Sequence, residues 1–361
     1  MNSVRLTGTV RVVGAGLLGT SIGLALTKSG LDVVITDASP ANARLAIDYG
    51  AGRQPASDDN PSVVVVCVPP DVTASVVEAE LNAFENAVVT DVASIKGQVL
   101  EELTKSGADI SRYVGSHPMA GRERGGALSG RADLFYSRPW VIASHAESSP
   151  AARNAIEMLA LDLGSTPTPV DPFEHDRAVA VVSHVPQIVA SLLAARLNDA
   201  EPSDVALAGQ GLRDTTRIAA SDPKLWVQIL GANAAEVAKV LSALSADLTQ
   251  VIAALENVDA SGSLATIGDA LSRGNRGVEQ IPGKHGSRNS HYEQIIVMID
   301  DKPGQLAKLL TEIGETGINL EDLSLEHSPG AQIGLVELSV LPSAEAKLIE
   351  ALTQRGWRIA G

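Results

Sequence analysis

The stretch Val10-Arg11-Val12-Val13-Gly14-Ala15-Gly16-Leu17-Leu18-Gly19 decides the fold of the first part of the chain. A mostly apolar, strand-like run leads into a G-x-G-x-x-G motif, after which an apolar helix is predicted to continue to about Ser29. In βαβ units with this motif, the first glycine allows a tight turn, the second lets the backbone approach a pyrophosphate, and the third lets the helix pack closely on the sheet. The helix N-terminus offers free N–H groups to phosphate. The sequence therefore predicts a dinucleotide site at Gly14, Gly16, Leu17, Leu18 and Gly19.

An acidic residue after the next strand indicates which dinucleotide binds. The second apolar run, from Asp32 to Ile35, leads to Asp37. A carboxylate at this position accepts hydrogen bonds from a ribose 2′-hydroxyl and repels a 2′-phosphate. Because no arginine follows until Arg44, the predicted cofactor is NAD rather than NADP.

Composition excludes several classes of protein. The chain has 361 residues, enough for two or three domains, and a net charge of −15 that argues against nucleic-acid binding. We find no apolar run as long as the ~18–20 residues of a membrane span, and no signal-peptide pattern in residues 1–9. The single cysteine, Cys67, lies in an apolar run and is interpreted as a core residue. A cytoplasmic protein without a metal site is expected.

The alternation of apolar strands with helices up to about residue 170 predicts a Rossmann-type, doubly wound α/β fold with a mainly parallel sheet. Seven strand-like runs carry this prediction: 10–13, 32–37, 62–68, 87–91, 113–116, 139–143 and 166–170.

The rest of the chain changes character twice. Residues 173–275 have helical periodicity with few strand signals and predict an all-helical domain after the first domain, 1–172. Residues 276–290 are rich in Gly, Arg, Lys, Ser and Asn and are interpreted as a linker. Residues 291–361 have the order βαββαβ, with a second strand expected from Ile318, which is typical of a ferredoxin-like module.

Polar residues follow three predicted strands, at the edge of the sheet where α/β proteins bind ligands. Val68 and Pro69 come first and are expected to border the cofactor. Ser94 follows the next strand, and His117 lies in a glycine-rich segment after the one beyond it. Imidazole titrates near neutral pH, so His117 is the best candidate for a proton acceptor, and Ser94 could donate a hydrogen bond to the same substrate atom or to His117.

The helical region supplies a second set of candidates. His184 and Gln187 share a helix face beside Pro186, which is expected to kink the helix. Arg213 and Arg217 are spaced i, i+4, so two guanidinium groups on one face could bind a dicarboxylate. A pair of surface arginines balanced by nearby acids is the alternative interpretation.

Taken together, these motifs resemble the prephenate/arogenate dehydrogenase family of tyrosine biosynthesis with a C-terminal ACT domain, and the resemblance covers nearly the whole chain. Its elements are Gly14-x-Gly16-x-x-Gly19, Asp91-x-x-Ser94-x-Lys96, Gly115-Ser116-His117-Pro118-Met119-Ala120-Gly121 with Glu123, His175-Asp176-Arg177…Ser183-His184-x-Pro186, Arg213-Asp214-x-Thr216-Arg217, and Asp222-Pro223-x-x-Trp226.

The resemblance implies NAD-dependent oxidative decarboxylation by a homodimer. Hydride would leave the ring carbon that bears the 4-hydroxyl, and CO₂ would leave as the ring becomes aromatic. By the same resemblance, His117 would accept the hydroxyl proton with help from Ser94, and Arg217, with Arg213 nearby, would bind a substrate carboxylate. Glu123 would gate or orient the site and Trp226 would help to line it.

Substrate and effector stay open at this stage. Several prephenate-specific members carry a second histidine where this chain has Gln187; prephenate is favoured, with arogenate as the alternative. The ACT resemblance implies an aromatic amino-acid effector bound near Asp301, Gly304 and Asn319, generally between paired modules, although a purely dimerising module is an alternative.

Two other functions are possible interpretations of the whole chain. A β-hydroxyacid-type dehydrogenase would be expected to have a catalytic lysine in the helical region, but residues 173–220 contain none. An NAD-bound, non-catalytic amino-acid sensor would need no proton acceptor such as His117.

Overall fold

The computed structural model describes residues 4–121, 125–282, 292–327 and 333–360. The chain divides into two compact units: residues 1–199 with 216–243, and residues 200–215 with 244–361. Each unit is described separately below.

The first unit contains a four-stranded parallel sheet. Its strands are β1 (Thr9–Val13), β2 (Val33–Thr36), β3 (Pro61–Val66) and β4 (Val88–Asp91), in the order β2-β1-β3-β4. The strands are rich in valine and almost fully buried, because helices cover both faces of such a sheet. Two apolar clusters, one on each side, form the core around Val12 and Val64.

A second, three-stranded sheet follows, formed by β5 (Gly115–Pro118), β6 (Pro139–Ala143) and β7 (Thr166–Pro169). β5 is antiparallel to β6, whereas β6 and β7 are parallel. The predicted single, mainly parallel sheet is therefore wrong in this part. A bridge between Val89 and Tyr113 joins the edge of the first sheet to the segment just before β5.

Among the described residues up to Ala232, the chain forms ten α-helices. They are α1 (Leu17–Lys28), α2 (Pro40–Asp48), α3 (Pro70–Ala83), α4 (Gly97–Ser106), α5 (Pro150–Asp162), α6 (Pro172–Val179), α7 (Val185–Ala195), α8 (Pro202–Val205), α9 (Gln210–Thr216) and α10 (Pro223–Ala232).

Two longer helices complete the helical region: α11 (Ala234–Glu256) and α12 (Ser263–Val278). α12 runs past residue 276, where the linker was expected to begin, so the predicted boundary is wrong at that end. Residues 283–290 of the predicted linker lie outside the described part of the chain, and so does residue 291, the first of the expected C-terminal module.

Two helical stretches, Pro172–Asp199 and Ala234–Glu256, are long and apolar enough to cross a membrane by length and composition alone. The expectation that no segment of this length exists is wrong by that criterion. The first stretch, however, carries buried His175, Asp176 and His184, which are hydrogen-bonded inside the first unit. Core helices of water-soluble proteins pass the same test.

The C-terminal module has the predicted order βαββαβ: β8 (Glu293–Asp300), α13 (Gln305–Glu315), β9 (Asp322–His327), β10 (Ile333–Val340), α14 (Pro342–Gln354) and β11 (Arg358–Ala360). Its antiparallel sheet has the order β11-β8-β10-β9. β9 begins at Asp322, so the prediction that Ile318 opens this strand is wrong. The apolar side chains around Ile318 and Leu320 pack on the module core from the preceding loop instead.

Candidate active site

The glycine-rich turn has one open position between two crowded ones. Gly14 has φ +107°, and a Cβ there would lie 2.3 Å from the Cys67 carbonyl oxygen. A Cβ on Gly19 would lie 1.8 Å from the Gly14 carbonyl oxygen. Nothing lies within 4 Å of a Cβ built on Gly16. The backbone is therefore tightly packed on the protein side and open at the position expected to face a pyrophosphate.

The other predicted cofactor residues lie at the same edge of the sheet. Leu17 and Leu18 open α1, whose N-terminus carries no side-chain cap. Asp37 directly follows β2 and accepts hydrogen bonds from the backbone N–H groups of Ala15 (2.7 Å) and Ser39 (2.7 Å), which fixes its partly exposed carboxylate beside the turn. Val68 and Pro69 follow β3, and Pro69 is exposed.

His117 lies inside β5, opposite Val141 of β6, and not in a loop after the strand as expected. The strand places its partly buried imidazole against a second histidine: Nδ1 of His117 lies 3.0 Å from Nε2 of His175. The two rings meet edge to face, with centroids 5.2 Å apart. His117 therefore has a hydrogen-bond partner that the sequence did not predict.

The chain of contacts continues to Asp176. Nδ1 of His175 lies 2.8 Å from Oδ1 of Asp176. The same carboxylate accepts the backbone N–H groups of Lys96 (2.8 Å, Oδ1) and Gly97 (2.7 Å, Oδ2) at the start of α4. His175 and Asp176 are both buried. Helices α4 and α6 are thus joined at the point where the imidazole pair is held.

A buried ion pair lies next to this chain. The Lys96 ammonium donates to Oδ1 of Asp91, and the Tyr113 hydroxyl donates to Oδ2 of the same carboxylate across 2.7 Å. Burial lowers the pKa of Lys96, which Asp91 opposes, and burial raises the pKa of Tyr113. The pKa of His117 is well below 6.5 because burial disfavours its cation, and His175, Lys96 and His184 add to that effect. His117 is therefore neutral at physiological pH.

His184 lies on a π-helical segment, Ala180–His184, that precedes α7. Pro186 lacks a backbone N–H and cannot complete an α-helical ladder here, which is consistent with the predicted local distortion. The Asn233 amide donates to Nδ1 of His184 (3.1 Å) and to the Asp176 carbonyl (2.8 Å). Burial lowers the pKa of His184 to about 4. Its ring meets that of Trp226 edge to face, with centroids 6.1 Å apart.

Gln187 is buried, and its amide oxygen lies 3.4 Å from the Ser221 hydroxyl, whose proton is donated to the Ile218 carbonyl across 2.6 Å. The short 3₁₀ turn Arg217–Ala219 packs against α7, the helix that carries Gln187. The guanidinium of Arg217 is exposed and has no counter-ion among the described residues.

The predicted arginine pair is not a pair on one helix. α9 ends at Thr216, so Arg217 begins a separate 3₁₀ turn. Arg213 belongs to the second compact unit and Arg217 to the first. The i, i+4 spacing therefore spans the end of α9, and a shared face for Arg213 and Arg217 stays a prediction.

Ser94 and Glu123 have different outcomes. Ser94 is the partly exposed residue of the otherwise buried loop between β4 and α4, and its hydroxyl has no hydrogen-bond partner in the described part of the chain. The suggested bond from Ser94 to His117 is therefore not formed here. Glu123 lies outside the described residues.

The three predicted effector residues do not meet within one C-terminal module. Asp301 and Gly304 follow β8, whereas Asn319 precedes β9. β8 and β9 are both antiparallel to β10, so they run in the same direction and these two loops lie at opposite ends of the sheet. Eight strand residues separate the ends by on the order of 20 Å. All three residues are exposed.

Sequence reasoning noticed the His175-Asp176 pair as a motif but assigned it no role, and it missed Asn233 and Tyr113 entirely. The one available signal was a His-Asp dipeptide at the start of a helix, in a chain with two other candidate histidines. Nothing in the sequence indicates that this dipeptide lies beside His117.

Two family models match the chain. "Prephenate dehydrogenase, nucleotide-binding domain" matches residues 22–166, and "Prephenate dehydrogenase, dimerization domain" matches residues 171–267. The chain belongs to the prephenate dehydrogenase family.

Individual relatives agree with this family assignment. The chain is 34% identical over 356 residues to the probable prephenate dehydrogenase NovF of Streptomyces niveus, an alignment that covers 97% of this chain and 98% of NovF. Its fold is similar to that of the prephenate dehydrogenase of Aquifex aeolicus solved with hydroxyphenyl propionate and NAD⁺ (TM-score 0.65, 24% identity, 75% of this chain and 98% of the other). It is also similar to Synechocystis arogenate dehydrogenase (TM-score 0.62, 23% identity, 74% and 99%).

Within this family, the described site combines an open glycine turn, a fixed acid after β2 and a neutral histidine with a buried polar chain behind it. These features lie in the first compact unit. Arg217 belongs to the same unit. It is exposed and lies on the 3₁₀ turn that packs against α7.

Proposed function

We propose that this protein oxidises and decarboxylates prephenate to 4-hydroxyphenylpyruvate, with NAD as cofactor, in tyrosine biosynthesis. Family membership supports the reaction, and the neutral, partly buried His117 is the single structural observation that carries it. The reaction needs an unprotonated group that can accept one hydroxyl proton near neutral pH, and burial, which lowers the pKa of His117, keeps its imidazole unprotonated there.

The residues of the first unit fit the cofactor. Gly16 leaves room for a pyrophosphate at the uncapped N-terminus of α1, and Asp37 offers a carboxylate to a ribose. Bound NAD⁺ supplies the hydride acceptor. The same carboxylate would repel a 2′-phosphate, which favours NAD over NADP.

The chain's own groups then act on the substrate. His117 accepts the proton of the 4-hydroxyl as hydride leaves the same ring carbon, and the ring carboxylate departs as CO₂ while the ring becomes aromatic. Ser94, whose hydroxyl has no partner among the described residues, is free to donate to the same oxygen. Arg217 binds a carboxylate of the substrate through charge-assisted hydrogen bonds. His184, Gln187 and Trp226 line the substrate side, and Glu123 orients or gates it.

The deciding assay is NADH formation at 340 nm with prephenate and, separately, arogenate. We expect turnover with prephenate and NAD⁺. Arogenate is the alternative substrate because the neutral Gln187 replaces the histidine of several prephenate-specific relatives. Turnover with arogenate alone would therefore change the substrate assignment. No turnover with either substrate would contradict the proposal and favour a non-catalytic sensor.

A homodimer explains the exposed apolar side chains of the helical region. Val181, Val182, Leu192 and Val227 are all more than half exposed in the single chain, Val227 at 71%. Covering such residues with a second copy removes apolar surface from water. The matching dimerization-domain description supports this arrangement, and sedimentation of the purified protein tests it. A cytoplasmic location fits such an enzyme.

We further propose that residues 292–360 form an ACT domain that binds an aromatic amino acid, tyrosine being the product of the pathway. The βαββαβ order and the sheet order support the domain type. Because Asn319 lies at the opposite end of the sheet from Asp301 and Gly304, a site that uses all three requires two modules. We place the domain boundary after α12.

Tyrosine inhibition of the full chain, compared with a chain ending at Pro282, tests the regulatory role. We expect the shortened enzyme to keep NAD-dependent activity and lose the tyrosine response. Unchanged inhibition would place tyrosine in the catalytic site as a product analogue, and the C-terminal module would then have another ligand or a structural role.

A further inference from the structure

We propose that His175 and Asp176 are positioning residues that hold His117 in its Nδ1–H tautomer and so leave Nε2 of His117 as the proton acceptor. The inference rests on the proposed function for the identity of the substrate hydroxyl, but the tautomer itself follows from hydrogen bonds within the first unit.

At Asp176 the direction of hydrogen bonding is fixed. Its two carboxylate oxygens accept backbone N–H groups from Lys96 and Gly97, and backbone N–H groups can only donate. The carboxylate is therefore an acceptor at both oxygens. Nδ1 of His175, 2.8 Å away, must be the donor in that contact.

This direction determines the next link. A neutral imidazole that carries its proton on Nδ1 has a lone pair on Nε2. In the proposed arrangement both imidazoles are neutral, so Nε2 of His175 accepts and Nδ1 of His117, 3.0 Å away, donates. With its proton on Nδ1, neutral His117 has its lone pair on Nε2. The tautomer of His117 thus depends on the backbone N–H groups at the start of α4, which act on it through Asp176 and His175.

The arrangement also provides for the protonated state. When Nε2 of His117 takes the substrate proton, Nδ1–H stays donated to His175, and no proton moves along the chain. The cationic group near the pair is Lys96, paired with Asp91, and it acts against a cation on His117. Asp176 is the carboxylate in direct contact with His175, and orienting the dipole of His175 is its means of stabilising that cation.

Ring-nitrogen NMR of ¹⁵N-histidine-labelled full-length protein tests the tautomer without any substrate. At pH 7.5 we expect His117, assigned by loss of its signals in His117→Asn, to show a protonated Nδ1 and an unprotonated Nε2. Because the wild-type spectrum is sufficient, this test does not depend on how any relay variant folds. A proton on Nε2 would overturn the proposal.

A matched pair of variants tests the effect on turnover. His175→Leu removes the acceptor for His117 Nδ1–H, whereas His175→Gln keeps one in its amide oxygen. We expect kcat to fall about 10²-fold in His175→Leu and to recover largely in His175→Gln, with KM for NAD⁺ unchanged in both. Equal kcat in wild type and His175→Leu, or equal losses in the two variants, would overturn the positioning role.

The two proposals fail in different ways. If wild-type protein turns over neither prephenate nor arogenate while the NMR shows Nδ1–H, the proposed function is wrong and the tautomer assignment stands. If wild-type protein is active and His117 carries its proton on Nε2, the function stands and the positioning role is wrong.

Discussion

Asn233 donates its side-chain amide to Nδ1 of His184 across 3.1 Å, and the second N–H of that amide is used by the Asp176 carbonyl. Nδ1 of His184 must therefore be unprotonated in the folded protein. The contact ties α10 to the end of the π-helical segment and makes a buried imidazole, 1% exposed, depend on its neutral form.

Fold stability should decrease on mild acidification because the folded protein buries His184 in its neutral form. His184 has a folded pKa of about 4, below its ordinary value of 6.5, so the unfolded chain binds the proton first. The stability that neutral His184 contributes is complete above pH 6.5, decreases as pH falls, and is lost at about pH 4. The total loss is about 3 kcal/mol, at ~1.4 kcal/mol per pKa unit.

Urea unfolding of wild type and His184→Asn at pH 7.5, 6 and 4.5 measures this effect. Asn keeps an oxygen near the Nδ1 position but cannot titrate, so the stability advantage of the wild type should shrink as pH falls. His117 and His145 also have lowered pKa values and act in the same direction in both proteins. A constant difference between the two proteins would contradict the prediction.

Catalysis should tolerate lower pH than an ordinary histidine would allow. Because the pKa of His117 is well below 6.5, the proton acceptor stays neutral through that pH, and kcat/KM for prephenate should be flat from pH 7.5 to 6.5 on this account.

His117→Ala should lower kcat by ~10²–10⁴-fold and leave NAD⁺ affinity unchanged. Near-normal turnover in His117→Ala would remove this residue from the mechanism.

Gly16 and Gly19 should respond differently to the same added methyl group. Gly16→Ala meets open space in the protein, so it should fold normally but raise KM for NAD⁺, because the Cβ enters the space expected for the pyrophosphate. Gly19→Ala places a Cβ 1.8 Å from the Gly14 carbonyl oxygen and should unfold at lower temperature. Thermal melting and NAD⁺ kinetics of the two variants separate fold from binding; unchanged NAD⁺ kinetics in Gly16→Ala would place the cofactor elsewhere.

Arg217 should act on substrate binding alone. Loss of a charge-assisted contact costs about 1.5–3 kcal/mol, so Arg217→Ala should raise KM for prephenate by about one to two decades and leave KM for NAD⁺ unchanged. Arg213→Ala is the matched control, because Arg213 is equally exposed but belongs to the other compact unit. Equal effects of Arg217→Ala on both substrates would indicate a structural role.

Gln187 tests substrate choice. Among the described residues, the side-chain amide of Gln187 has only two long contacts of 3.4 Å, to Ser221 and to Ser191, so a histidine can replace it at small cost in hydrogen bonding. Gln187→His should change the ratio of kcat/KM for prephenate to that for arogenate while KM for NAD⁺ stays the same. An unchanged ratio would place Gln187 outside the substrate pocket.

Local sequence patterns determined the elements and the cofactor end of the site. The valine-rich strands and the spacing of Gly14, Gly16 and Gly19 predict a βαβ unit, because chain geometry within about 30 residues fixes which positions need a glycine. The same locality explains why Asp37 could be assigned from its place after β2. The order of elements in the C-terminal module was predictable for the same reason.

Tertiary structure alone decided which distant residues meet. His117 and His175 are 58 positions apart in the chain and share no local pattern; they meet because β5 and α6 come together against α4. Arg213 and Arg217 are close in sequence but are separated by the end of α9, and Asn319 is carried by the sheet register to the end of the module opposite Asp301. Secondary structure follows from neighbours along the chain, whereas a hydrogen-bonded chain such as His117, His175 and Asp176 depends on packing between elements, which no local spacing encodes.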